Sequence, residues 1–366
     1  MTNKNLFILI LVVIIAGAAY FAYQGGLFGD RRSTKSTLSA LEIARISNNF
    51  IENVAIKKDR RGYGDFWRPH FLCSQAKCNP EILIRDGELF STYYLPTLHI
   101  QNLRLLAAAA DDREIKKREI AETLYQVQIC KIKPDLCRRN FSAIVNADAD
   151  YKFNVSLLGA FLINDFGIKP QNLVTWIQKL ERFVLLAKVT GKDADITRAR
   201  QVFDDGGALF SRESKLVYKE NTLSITRASC FEPLGGMYVY SLTGNKDDLN
   251  SARDFAESAA LAAHAKDFNK SDVLNGVIIH PGLVCGELLA SLYNFTKEDR
   301  YINELKGLMQ YLILENVDFQ KSPLANGDGA FSRKIANGKV DKQSIDTLWF
   351  NHILLQIPNE TFGVPF

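Results

Sequence analysis

Several features that would narrow a function at once are missing from this sequence. Only five histidines occur, at positions 70, 99, 264, 280 and 352, too scattered for an H-E-x-x-H site. The six cysteines form no C-x-x-C, and no histidine stands at ligand spacing from any of them, so no metal is expected. The phosphate-cradling G-x-x-x-x-G-K-[ST], the dinucleotide G-x-G-x-x-G and the nucleophile elbow G-x-S-x-G are absent, and no cofactor is expected. Glycine (23) and proline (10) are scarce among 366 residues, which excludes collagen-like and low-complexity chains. Net charge is small as well. Three of the four positive charges come from the first 35 residues, where Lys4, Arg31, Arg32 and Lys35 face only Asp30. The nearly neutral remainder lacks the basic face that a nucleic-acid partner requires.

Charge is absent altogether from Asn5 to Gly29, and Leu6–Tyr23 is almost wholly apolar. As a helix it would span roughly 27–35 Å, the thickness of a bilayer core. Lys4, the apolar Leu6–Ile15 and the small residues Ala16-Gly17-Ala18 also fit a cleavable signal peptide. The apolar run continues through Tyr20, Phe21 and Tyr23, however, and interfacial aromatics favour an uncleaved anchor. Residues 1–29 are therefore expected as an anchor or signal peptide, 30–37 as a polar linker, and 38–366 as one domain.

Two signals disagree on orientation. Arg31, Arg32 and Lys35 outweigh Lys4 and favour a cytoplasmic C-terminal part. The cysteines argue the opposite: Cys73/Cys78 and Cys130/Cys137 are close pairs behind a membrane-targeting segment, as local disulfides in an oxidising compartment would be. The alternative is six small apolar core residues without bonds, and the pairing of Cys230 and Cys285 stays open. The expectation is a single-pass membrane protein with a short inside N-terminus, its bulk extracytoplasmic and its protein partners unspecified.

After residue 37 the patterning is helical, with apolar residues at three- and four-residue spacing through eight segments between Leu38 and Ile357. Strand-like alternation is best at Lys215–Ile225. Two repeats organise the helices. Thr190, Thr243 and Thr296 are spaced by 53 residues each time, and every one ends an apolar helix and opens a short polar turn. A Thr-Gly turn stops one helix and the following Asp residues cap the next. The 331 residues after position 35 would hold about six such hairpins. Between hairpins a second phrase recurs, D-G-x-F-S, at Asp86–Ser91, Asp205–Arg212 and Asp328–Arg333. There Gly permits a tight turn and Phe can plug the core.

Hairpins of this length, with T-G-x-x-x-x-[LI] turns and D-G-x-F connections, resemble the six-hairpin α/α toroids, a group with many glycoside hydrolases, polysaccharide lyases and sugar epimerases. The Q-W and D-x-D-D motifs of the related terpene cyclases are absent. The resemblance implies an all-α ring of about twelve helices with short β-hairpin insertions. It also implies a site where the N-termini of the inner helices meet the inter-hairpin connections.

Helices that run into the Thr turns should be the inner ones. Glu232 before Pro233, His280 before Pro281, and Asp346 before Leu348-Trp349 then start inner helices, while Asp328 lies in a connection. These four are the expected catalytic groups, either as paired carboxylates for hydrolysis or with a His or Tyr base for elimination or epimerisation. Arg212 and Arg333, matched in the second repeat, would orient an acidic or hydroxyl-rich sugar. The aromatic loop Arg60–His70 offers Trp67 for stacking and Asp65, Arg68 and His70 for charge. Tyr93, Tyr94 and Trp349 complete the expected substrate contacts. Two functions follow: a membrane-tethered glycan-acting enzyme, or a non-catalytic scaffold or glycan-binding subunit of a membrane complex.

Overall fold

The computed structural model describes residues 35–57, 66–68, 70–74, 77–80, 84–85, 95–132, 163, 166–170, 172–207, 230–269, 279–319, 327–334 and 339–365. The apolar stretch Leu6–Tyr23, Asp65, Tyr93, Tyr94, Cys137, Arg212 and the expected hairpin Lys215–Ile225 lie outside the described residues, as do the side chains of His70 and Cys130. Among the described residues no helix is long and apolar enough to cross a membrane.

Ten α-helices are described, against about twelve expected: α1 (Ala40–Phe50), α2 (Leu95–Ala110), α3 (Arg113–Ile132), α4 (Leu173–Thr190), α5 (Asp193–Asp204), α6 (Phe231–Thr243), α7 (Lys246–Ala259), α8 (Pro281–Thr296), α9 (Asp299–Asn316) and α10 (Ser344–Gln356). The even-numbered helices are neighbours in space, with α4 beside α6, α6 beside α8, α8 beside α10, and α10 beside α2. Each of α2, α4, α6 and α8 returns through the helix that follows it, and α1 backs α10. Burial separates the two rings. Every residue of α8 from Pro281 to Leu292 is buried. On α7 only Asp248, Leu249, Ala252, Ala256 and Ala259 are buried, a stripe at helical spacing. A helix buried on all sides belongs inside, one with a stripe outside.

The Thr turns have a common mechanism. Gly191, Gly244 and Lys297 each take the left-handed conformation just after α4, α6 and α8, the ordinary way to end a helix. The hydroxyls of Thr190, Thr243 and Thr296 accept from the backbone N–H two residues on, at 3.4, 3.2 and 3.2 Å. Because α4, α6 and α8 run side by side, the three turns share one end of the ring.

Among the described residues nine short strands form three sheets. β1 (Lys35–Ser39) pairs antiparallel with β9 (Thr361–Pro365), joining the two ends of the described chain. Residues 35–37, expected in the linker, are thus part of a sheet. The strands β2 (Ile56–Lys57), β3 (Phe66–Trp67) and β6 (Ile84–Arg85) make a second sheet. The third has the order β5-β4-β8-β7 and contains β4 (His70–Ser74), β5 (Lys77–Pro80), β7 (Ser332–Lys334) and β8 (Lys339–Gln343).

Cys73 and Cys78 face each other across the β4–β5 hairpin and are joined by a disulfide, as their spacing suggests. A second disulfide joins Cys230, at the start of α6, to Cys285 on α8. It crosslinks two neighbouring inner helices.

Candidate functional site

The N-terminal end of the inner ring carries much of what the sequence points to, and packs it away from solvent. His280 caps α8. Its Nδ1 accepts from the Gly282 N–H at 3.2 Å, so the neutral ring holds its proton on Nε2 and donates to Asn269 Oδ1 at 2.9 Å. Its backbone N–H donates to Asp346 Oδ1 at 2.9 Å, and Arg333 Nε donates to Asp346 Oδ2 at 2.5 Å. Burial drives the His280 pKa well below its ordinary value, and the Arg333 charge adds to this. Burial likewise raises Asp346, while Arg333 and the His280 N–H oppose it.

Next to this group Lys342 Nζ donates to Asp318 at 2.6 Å and to both oxygens of Asp328 at 2.9 Å. The D-G-x-F-S phrase explains the geometry. Gly329 has φ +80° and lies against Ile46, where any Cβ would collide. Phe331 is buried edge-on against His280 and packs on Phe350.

Of the four expected catalytic groups, the structure therefore brings His280 and Asp346 into contact and ties Asp328 into the neighbouring Lys342 pair. Glu232 is apart from them, exposed in the first turn of α6. His280 and Asp346 are fully buried, so they hold two helix starts together away from solvent instead of lining an open site. Arg333 is committed to Asp346 and is also buried, which removes it as a sugar-orienting cation at the surface. Trp67 corrects another expectation. It is buried edge-on against His99 and stacks in the core rather than on a ligand. Arg68, just after β3, donates to the Val54 carbonyl at 2.8 Å, in the π-helical turn Ile51–Ala55 that follows α1. Trp349 is buried on α10, and its indole N–H finds no acceptor among the described residues.

An open site lies deeper, halfway along the inner helices. A cavity of about 460 Å³ is lined by Gln101, Arg104 and Leu105 from α2, Glu181 from α4, Tyr238 from α6, Glu287 from α8 and His352 from α10. All five described inner helices contribute. The volume falls within the roughly 300–1,000 Å³ usual for small-molecule sites.

The polar groups are held in place. Gln356 Nε2 donates to both oxygens of Glu287 at 3.1 Å, and His352 Nε2 lies 3.8 Å from Glu287 Oε1. His352 Nδ1 is 3.2 Å from Asn102 Oδ1. Arg104 is paired with Glu119 of α3 at 2.8 Å. Glu181 and Glu287 come from helices on either side of α6, so the cavity separates two carboxylates. Among the described residues no group of His, Cys, Asp and Glu is arranged to hold a metal ion.

None of the cavity residues was expected from the sequence, yet a signal existed. Glu181 and Glu287 each stand nine residues before a turn threonine, Thr190 and Thr296. A charged residue recurring at one register inside buried helices is a better pointer than a helix start.

No protein family model and no curated protein sequence matches the chain. Solved structures do. An unsaturated glucuronyl hydrolase specific for heparin superposes with a TM-score of 0.54 at 12% identity, over 87% of this chain and 96% of that one. A glycoside hydrolase family 76 mannosidase from Bacteroides thetaiotaomicron gives 0.54 at 12%, over 87% and 98%. A family 76 α-1,6-mannanase of a Salegentibacter species, in complex with α-1,6-mannotetrose, gives 0.51 at 12%, over 88% and 99%. Likeness at this identity establishes architecture: the chain folds as an α/α toroid of the kind these glycoside hydrolases share.

Proposed function

We propose that the chain is a glycan-acting hydrolase whose reaction takes place in the central cavity. The observation that carries this reading is the pair Glu181 and Glu287 in one solvent-connected cavity of a toroid similar to those of glycoside hydrolases. One carboxyl would protonate the leaving oxygen and the other would activate water, the division of labour of an inverting enzyme. Gln356 fixes both Glu287 oxygens in place, and in this reading Glu287 serves as the base and Glu181 as the acid. Tyr238, Gln101 and His352 would position hydroxyl groups.

The family 76 mannanase variant with two consecutive aspartates replaced is inactive. The three Asp-Asp pairs of this chain, at 111–112, 204–205 and 247–248, lie at helix ends and turns and not in the cavity. A different carboxylate pair is therefore required here. We further propose that Leu6–Tyr23 anchors the enzyme and that residues 35–366 face an oxidising, extracytoplasmic space. The Cys73–Cys78 and Cys230–Cys285 bridges support that compartment.

The test is a panel of α-mannan, glucuronyl and other oligosaccharides, read by product release. Glu181→Gln and Glu287→Gln are each expected to lower kcat by about 10²–10⁴ with folding intact. Turnover unaffected by either change, or binding without turnover by the native protein, would defeat the hydrolase reading.

A further inference from the structure

We infer that the cavity is a blind pocket entered from the hairpin-turn end of the ring, the end opposite His280 and Asp346, and that it takes one terminal, neutral sugar residue. The first part rests on three layers of side chains. Residues three or four apart on a helix share a face, so on each inner helix the first cavity residue has a counterpart one turn toward the N-terminus. Those counterparts are Leu98, Ile177, Leu234, Val284 and Trp349, and none is more than 7% exposed. Five apolar side chains thus floor the cavity, and the His280–Asp346–Arg333 group closes the ring beyond them.

Toward the helix C-termini the trend reverses. Ala108 is exposed and Leu185, Leu242 and Gln356 are half-buried, while on α8 Ser291 stays buried. A hydrogen-bonded thread runs the same way, from Glu287 to Gln356 and on to the exposed Asn294, whose Nδ2 donates to Gln356 Oε1 at 3.0 Å. Polar groups and solvent reach the cavity from this end and stop at the floor.

One further observation bears on the ligand. The cavity wall carries two carboxylates, and its one arginine, Arg104, is already held by Glu119. That balance repels a uronate and suits a neutral, hydroxyl-rich residue. A pocket closed at one end admits a chain terminus and excludes a chain threaded through, so cleavage would release single residues.

The ligand assignment rests on the hydrolase reading; the route does not, and it is tested without a glycan. Tyr238→Cys, or Gln101→Cys as a second reporter, is placed in the full-length protein. Its labelling by a small methanethiosulfonate is followed by peptide mass spectrometry. A tryptophan at the turn end, Ala108→Trp, should slow labelling at least tenfold. At the other end Lys334→Trp, an exposed position on β7, should leave the rate unchanged. Slowing by Lys334→Trp, or by neither change, overturns the route. On the sugar panel, release of monosaccharide from neutral chain ends is expected, and products of internal cleavage overturn the blind-pocket assignment. Normal labelling behaviour with no sugar processed would leave the route standing and remove the hydrolase reading alone.

Discussion

Replacing Arg333 with methionine should be among the most damaging single changes on β7. The guanidinium and the Asp346 carboxylate form a pair 2.5 Å apart with side chains 2% and 0% exposed, so neither charge shares its partner's role with water. Removing the cation leaves a buried carboxylate supported only by the His280 N–H. Breaking such a pair costs about 3–5 kcal/mol, much of it the penalty on the survivor. That penalty can be relieved. In Arg333→Met/Asp346→Asn the surviving amide oxygen still accepts from the His280 N–H, and position 346 carries no charge. The double variant is therefore expected to be more stable than Arg333→Met alone by at least about 2 kcal/mol, part of the coupling typical of contacting residues. The sign with pH follows. Burial already raises the Asp346 pKa against the opposing Arg333 charge; without Arg333 it rises further, and protonation removes the unpaired charge. The cost of Arg333→Met should thus be smaller at pH 5 than at pH 7.5. Urea titrations of the four proteins of the cycle at both pH values measure all of this. A single-variant cost below 1 kcal/mol, or strictly additive effects, would refute the reasoning.

Other expectations follow from neighbouring features. His280 has a folded-state pKa well below its unfolded value near 6.5. Its contribution to stability is therefore complete above about pH 6.5 and is lost as pH falls, by at most about 1.4 kcal/mol per pH unit; His280→Asn, which can still cap α8, should flatten that part of the stability profile. The Cys230–Cys285 bridge spans a sequence separation of 55 and Cys73–Cys78 one of 5. Loop-closure entropy then assigns about 4 and about 2 kcal/mol, and thermal melts of the two paired Cys→Ala variants should rank in that order. Gly206→Ala would bring a methyl within 2.5 Å of the Trp176 indole, whereas Gly207→Ala meets nothing within 4 Å. The first should cost about 1–3 kcal/mol and the second little, as chemical denaturation would show.

The ring was legible because its signals are local and repeated. Thr190, Thr243 and Thr296 report their own turns, since a threonine, a left-handed residue and a helix start require nothing distant. Phe331 was legible as a plug for the same reason. The facing of individual side chains was not, because a helical position tells its depth along the axis but not its azimuth; one residue of error turns a side chain by about 100°. Asp346 and Arg333 were placed at the correct end and given an exposed role, yet both are buried against each other. Trp67 looked like a stacking platform because a composition-rich loop hides whether its aromatics point out or in. Cys230 and Cys285 stand in similar register on successive inner helices, 55 residues apart against the repeat of 53, and that near-coincidence marks neighbours in space.

The pairing of β1 with β9 has a consequence for biosynthesis. A strand at residues 35–39 finds its partner only when residues 361–365 have been made, and His352 and Gln356 of the cavity belong to the same late segment. At about 5–20 residues per second, roughly 15–65 s separate the two strands on the ribosome. During that interval the inner faces of α2, α4, α6 and α8 have no closing helix, and the edge of β1 is unpaired. Such long-range closure is slow and exposed to aggregation. Until α10 has been made these faces stay uncovered, and a message truncated within α10 yields an open ring.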